Sequence, residues 1–189
     1  MLLPRPQAVR THARDRVRQI EHRAPDIAAD GHHRREPLDV PGHRILTLAR
    51  RRGIRVLNHE ELQAGDVSLE YVSRLMHRRY TDSPTLRKVL QTIWYQVNNG
   101  QEIYVVGVIQ GDGTVRGGTG WGAEFAKLCN KPLCVFDEEK DSWFCWTGSD
   151  WQTQGVPTIT HPHFTGTGTR KIHDNGKRAI EALFANSFK

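Results

Sequence analysis

The segment Arg116-Gly117-Gly118-Thr119-Gly120-Trp121-Gly122-Ala123-Glu124 lies a few residues beyond an apolar run at 103–109. That run is apolar at nearly every position, as expected of a central strand covered on both faces. A turn at 111–113 and the glycine-rich segment then lead into a helix reaching about Cys129. Strand, glycine-rich turn and helix form the unit with which α/β proteins hold a phosphate. Glycines admit the anion close to the main chain, and the first N–H groups of the helix point at it. Gly117, Gly118, Thr119 and Gly120 are therefore candidate anion-binding residues. Trp121 is a candidate partner for a base or sugar, and Glu124 a candidate catalytic or ribose-binding carboxylate.

The flanking pattern extends this unit into a domain. Ile45, Leu46, Leu48 and Ala49 predict a short helix, stopped near Gly53, and 54–57 a short strand followed by a loop through 58–61. A helix is expected after Asp66 or Ser68, with Leu69, Val72, Leu75 and Met76 on one face. Ser83 as N-cap and Pro84 at the first helical position open another, carrying Leu86, Val89, Leu90, Ile93, Trp94 and Val97. Further strands are expected at 133–137 and 143–146, then a polar loop and a last helix from about Asp174 with Ala179, Ile180, Leu183 and Phe184. Alternating helices and apolar strands predict a three-layer, Rossmann-like α/β fold with a mostly parallel sheet.

Two further groups fall where such sheets collect their polar chemistry. Asp137 ends a strand at its C-terminal edge. Residues 165–170 offer hydroxyls, main-chain N–H groups and a guanidinium just ahead of the last helix, so Thr167, Gly168, Thr169 and Arg170 are read as a second anion-binding loop. His161, His163 and His173 lack a clearly placed acidic third ligand, and no metal site is assigned. Cys129, Cys134 and Cys145 have no CxxC spacing and are read as buried thiols of a reducing compartment.

Charge separates the chain into two parts. The net charge of +6 resides in residues 1–52, which hold twelve arginines, six acids, five histidines and no lysine. The remainder is balanced at 15 basic and 15 acidic residues, which gives no support for a nucleic-acid-binding face on the folded body. Residues 1–42 are expected to be a basic arm without fixed structure and 43–189 the α/β domain. An arm that contacts nucleic acid, or a targeting peptide, stays open for the first 52 residues. No apolar run approaches the length of a membrane span and no secretory signal is evident, so a cytoplasmic protein is expected. A homo-oligomer is left open.

Over roughly residues 54–189 the chain resembles the SLOG superfamily of Rossmann-like nucleotide-binding domains. This superfamily includes the lysine-decarboxylase-like phosphoribohydrolases and the DNA-processing protein A family. The resemblance rests on Trp94-Tyr95-Gln96-Val97-Asn98-Asn99, Gly117-Gly118-Thr119-Gly120-Trp121, Val135-Phe136-Asp137 and the segment 164–188. It implies a nucleotide as ligand and no other cofactor. The phosphoribohydrolase pattern of proline, two glycines, any residue, glycine, threonine, two residues and glutamate is met by Gly117, Gly118, Gly120 and Glu124. Arg116 replaces its proline and Trp121 its threonine. Its partner arginine falls on Thr92, with Arg87 more than one helical turn earlier. The first strand and small-residue loop of such domains have no counterpart in residues 1–52, so that unit is expected to be missing or divergent. The functions implied are nucleotide binding or, alternatively, N-glycosidic cleavage of a nucleoside monophosphate through Glu124. A basic-arm contact with nucleic acid is the third reading.

Overall fold

The computed structural model describes residues 56–188. The expected arm at 1–42, the helix at 45–49 and the first part of the strand at 54–57 lie outside the described residues.

Among these residues no strand forms at 56–57. Instead Asn58 opens a helix, α1 (His59–Gln63), through a capping box: its side chain accepts from the Glu61 N–H while the Glu61 carboxylate accepts from the Asn58 N–H, both at 2.8 Å. Two orphan donors are thereby satisfied at once, and this overturns the loop expected at 58–61. Helix α2 (Asp66–Leu75) buries Leu69 and Val72, with Met76 just beyond its end, but leaves Leu75 half-exposed. Helix α3 (Pro84–Asn99) starts on the Ser83 cap and buries Leu90, Ile93 and Val97, while Leu86 and Val89 face outward. One carboxylate ties α2 to α3: Asp66 Oδ1 accepts from Tyr80 Oη at 2.8 Å and from Gln91 Nε2 at 2.7 Å.

The sheet has five strands, β1 (Glu102–Gly107), β2 (Leu133–Asp137), β3 (Ser142–Trp146), β4 (Trp151–Gln154) and β5 (Phe164–Gly168), in the order β4-β3-β2-β1-β5. Strand β1 is central and parallel to both neighbours, pairing Val105 with Val135 on one side and with Thr167 on the other. The pairs β2–β3 and β3–β4 are antiparallel. The sheet is therefore mixed, where the sequence pattern suggested a mostly parallel one. Connection length explains the difference: only four residues separate β2 from β3 and β3 from β4, far short of the dozen or so that a parallel crossover requires. Strand β4 itself was expected as polar loop, and its outward Gln152, Thr153 and Gln154 explain why.

Alternate residues of β1 and β2 divide between two cores. Ile103, Val105, Leu133 and Val135 pack with α2, α3 and helix α4 (Thr119–Leu128). Tyr104, Val106, Phe136 and Trp143 pack with Ala179 and Leu183 of helix α5 (Asp174–Ser187). Each fully buried aliphatic side chain stabilises the fold by about 1.5–3 kcal/mol.

Cys134 and Cys145 are register partners across β2–β3 and form a disulfide, whereas Cys129 is an exposed free thiol. This corrects the expectation of three buried thiols and removes the support they lent to a reducing compartment. Among the described residues no helix is long and apolar enough to cross a membrane.

Candidate functional site

The parallel strands end together, and the chain leaves them in opposite directions. After β1 it runs through residues 108–118 into α4, which covers one face of the sheet; after β5 it runs through 169–173 into α5 on the other. Such a divergence opens a crevice at the C-terminal strand ends, where open α/β sheets bind ligands. Here it is an open cleft of about 530 Å³ lined by Val108, Arg116, Glu138, Thr169, Arg170, Lys171 and His173. Two main-chain hydrogen bonds fasten its walls to the end of β1: Glu138 N–H to the Gly107 carbonyl at 2.9 Å and Thr169 N–H to the Val106 carbonyl at 3.1 Å.

Asp137 shapes the same edge from below. It is fully buried, and both carboxylate oxygens are occupied by main-chain donors. Oδ2 accepts from Ile109 N–H at 3.0 Å; Oδ1 accepts from Glu139 N–H at 2.9 Å and Lys140 N–H at 3.1 Å. The Lys140 ammonium lies 3.5 Å from Oδ2. Asp137 thus holds the segments after β1 and β2 in place, a positioning role where a ligand contact was expected.

The glycine-rich turn is built as the sequence suggested. Gly117 adopts φ +72°, which a side chain would strain, and Gly118 is the N-cap of α4 without a side-chain cap. Gly120 N–H and Trp121 N–H turn back to the carbonyls of Gly117 and Gly118. The N–H groups of Gly117, Gly118 and Thr119 have no hydrogen-bond partner among the described residues. Gly120 is required by close approach, since a Cβ there would lie 2.2 Å from the Val115 carbonyl oxygen. The loop is clamped by a residue that no sequence signal had marked, Arg78. Its guanidinium donates to the carbonyls of Val115 and Gly117, to Gln110 Oε1 and to Thr114 Oγ1. It also stacks on Trp121, 5.5 Å from the ring centroid. Trp121 is therefore engaged by Arg78 and the core, and does not line the cleft.

Glu124 also stands off the cleft lining. Its carboxylate accepts from Lys127 Nζ at 2.8 Å, and both side chains are 12% exposed. The same ammonium donates to the Gly113 carbonyl at 3.0 Å and lies over the rings of Trp146 and Trp151, at 4.1 and 4.8 Å. These contacts bind α4 to the β3–β4 hairpin.

The second predicted loop is shorter than expected, because Thr167 and Gly168 belong to strand β5. Thr167 is buried beneath α4, and Gly168 sits against Val106 and Ile172. Thr169 and Arg170 remain in the connection and line the cleft with Lys171. Arg170 and Lys171 are exposed and have no ion pair among the described residues, whereas Arg116 pairs with Glu139 at 2.9 Å. Arg116, Arg170 and Lys171 thus bring three cations to a cleft with one carboxylate in its lining, that of Glu138.

The Glu138 side chain is only 3% exposed. Its Oε1 accepts from the N–H of His173, the N-cap of α5, at 2.7 Å, and its carbonyl accepts from Asn175 Nδ2. Glu138 and Lys171 carry no sequence signal of their own, although Glu138 directly follows Asp137 at the end of β2 and Lys171 directly follows Arg170. No group of His, Cys, Asp and Glu able to hold a metal ion occurs among the described residues. No family model, no curated protein and no solved structure matches this chain.

Proposed function

We propose that this protein binds a nucleotide, or a closely related phosphorylated small molecule, in the cleft at the C-terminal ends of β1, β2 and β5. The observation that carries this reading is the meeting of two different anion-holding devices at one sheet edge. The unpartnered N–H groups of Gly117, Gly118 and Thr119 open α4, and the cations Arg116, Arg170 and Lys171 line the adjoining cleft. Charge-assisted hydrogen bonds contribute about 1.5–3 kcal/mol each, and the α4 dipole adds roughly 0.3–1 kcal/mol. A three-layer Rossmann-like arrangement of SLOG type accords with this placement, since β1 lies between two parallel neighbours and the helices that follow β1 and β5 pack on opposite faces.

Hydrolysis of an N-glycosidic bond takes second place. It draws on Glu124, whose carboxylate is paired with Lys127 away from the cleft lining.

Calorimetric titration with AMP, ADP and inorganic phosphate tests the proposal, alongside the Arg116→Ala/Arg170→Ala double variant. Saturable binding that weakens at least tenfold in the double variant is expected. A ligand at about 100 times its Kd should also stabilise the fold by roughly 2.7 kcal/mol, visible as a raised Tm. No binding, or binding indifferent to both arginines, overturns the reading.

A further inference from the structure

We propose that the exposed apolar row of α2 is the docking site of residues 44–52 of the same chain, which seat on it as the amphipathic helix that their spacing predicts.

The row consists of Val67, Tyr71 and Leu75, four residues apart, so that they form one line along the helix. They are 83%, 51% and 50% exposed, while Leu69, Val72 and Met76 on the other side of the helix are buried in the core. Single apolar residues on a surface are ordinary, but a contiguous row marks a contact face. The row lies on the element that leads into Arg78, the clamp of the glycine-rich turn.

Charge identifies what covers it. Residues 44–55 hold five arginines and no acid. Residues 56–73, which form α1 and most of α2, hold Glu60, Glu61, Asp66 and Glu70 and no lysine or arginine. Asp66 takes its hydrogen bonds from a hydroxyl and an amide, and Glu70 pairs with Arg74 just beyond this stretch. The two neighbouring stretches are thus of opposite sign, and attraction acts within a Debye length of about 10 Å. Apolar pattern agrees: Ile45, Leu48 and Ala49 share one helical face, with Leu46 at its flank and Arg50, Arg51 and Arg52 at its C-terminal end.

Reach and concentration favour this segment over a second copy. The described chain opens at Val56, and α1 with Ala64 and Gly65 joins it directly to α2. Seven Cα steps separate Ala49 from Val56, a span of roughly 23–25 Å at full extension. Helix α2 is only about 15 Å long. A segment on so short a tether has an effective concentration in the millimolar range. At micromolar protein it outcompetes a separate molecule about a thousandfold, so a small contact suffices.

Hydrogen–deuterium exchange of the full chain, read by mass spectrometry, tests this. In the native protein at micromolar concentration, amides of residues 44–52 should exchange at least tenfold more slowly than in an unstructured chain, at a rate that dilution leaves unchanged. Val67→Lys/Tyr71→Lys removes apolar contact and sets cations against the arginines. That variant should return residues 44–52 to the unstructured rate and leave the amides of β1 protected. Unprotected amides at 44–52 in the native protein, or protection that the double variant retains, overturns the proposal. Protection that vanishes on dilution, with a dimer in sedimentation that the same substitutions dissociate, also overturns it and assigns the row to a second copy. If the double variant does not fold, Val67→Lys alone, at the most exposed position of the row, makes the same comparison.

Discussion

Replacing Asp137 by Asn is the most demanding test of how the candidate site is held. The substitution is nearly isosteric, so it adds no cavity, and its effect falls on the hydrogen bonds of the carboxylate and on its ion pair with the half-exposed Lys140 ammonium, 3.5 Å away. Oδ1 serves two donors, Glu139 N–H and Lys140 N–H, and Oδ2 serves Ile109 N–H. An amide supplies one acceptor oxygen. The lower-cost orientation keeps it on the Glu139 and Lys140 donors and turns the NH₂ towards Ile109, so that donor faces donor at a fully buried position. The loss is one charge-assisted bond plus an unsatisfied buried N–H, about 2–4 kcal/mol together. The two remaining bonds also weaken as the acceptor loses its charge. Urea unfolding measures this: with a slope of about 2 kcal/mol per molar, the midpoint should fall by roughly 1–2 M at unchanged slope. Asp137→Ala, which frees all three donors, should cost more than Asp137→Asn. A midpoint within about 0.2 M of the native protein for Asp137→Asn would falsify the assignment of Asp137 as the organiser of these loops.

Other outcomes follow from individual contacts. Gly120→Ala should destabilise by about 1–3 kcal/mol or prevent folding, because its Cβ meets a carbonyl oxygen at 2.2 Å that cannot yield. Gly111→Ala, with open space around it, should stay within about 0.5 kcal/mol of the native protein in the same assay. Joint replacement of Cys134 and Cys145 by Ser removes a cross-link of sequence separation 11, which loop entropy values at about 2.8 kcal/mol; thermal unfolding with and without reductant should show the same loss, and no loss would mean that the pair is not joined in solution. Burial of the Glu102 carboxyl favours its protonated form, but hydrogen bonds from the Thr160 hydroxyl and N–H, the His161 N–H and the Tyr104 hydroxyl outweigh it and hold its pKa below the ordinary 4.5. A depressed carboxylate pKa contributes stability that is present above 4.5 and lost as pH falls through the lowered value. Glu102→Gln should therefore flatten the acid limb of a stability–pH profile below about 4.5, and an unchanged limb would contradict the proposed hydrogen bonding.

How much of this was legible in the sequence depends on whether local or distant residues decide each feature. The strands β1 and β2, the Ser83–Pro84 helix start and the glycine turn into α4 are set by local pattern, and they appear where that pattern puts them. The capping box at Asn58 and Glu61 was equally local, but the short helix that it opens buries no residue and leaves no apolar stripe to notice. The antiparallel pairings were implicit in four-residue connections that the alternation of helix and strand overshadowed. The site divides along the same line. The N–H groups of the turn belong to backbone conformation and could be read directly. Arg78 acts on a loop 32 to 39 positions away, and nothing in its own neighbourhood announces that. Asp137 was noticed for its position, but its oxygens are spent on donors from both flanking loops, which only the fold brings together. Trp121 and Glu124 were weighed as ligand groups by their nearness to the glycines along the chain. A helix turns successive side chains through about 100° each, so nearness in sequence does not place them on the face that meets the cleft.

The central claim is that a phosphorylated ligand seats between the start of α4 and the connection after β5. Two-dimensional amide NMR during a titration with AMP addresses it directly. The account predicts the largest shifts at the N–H groups of Gly117, Gly118, Thr119, Thr169 and Arg170, following one binding curve. Shifts confined to another surface, or none at millimolar nucleotide, would contradict it.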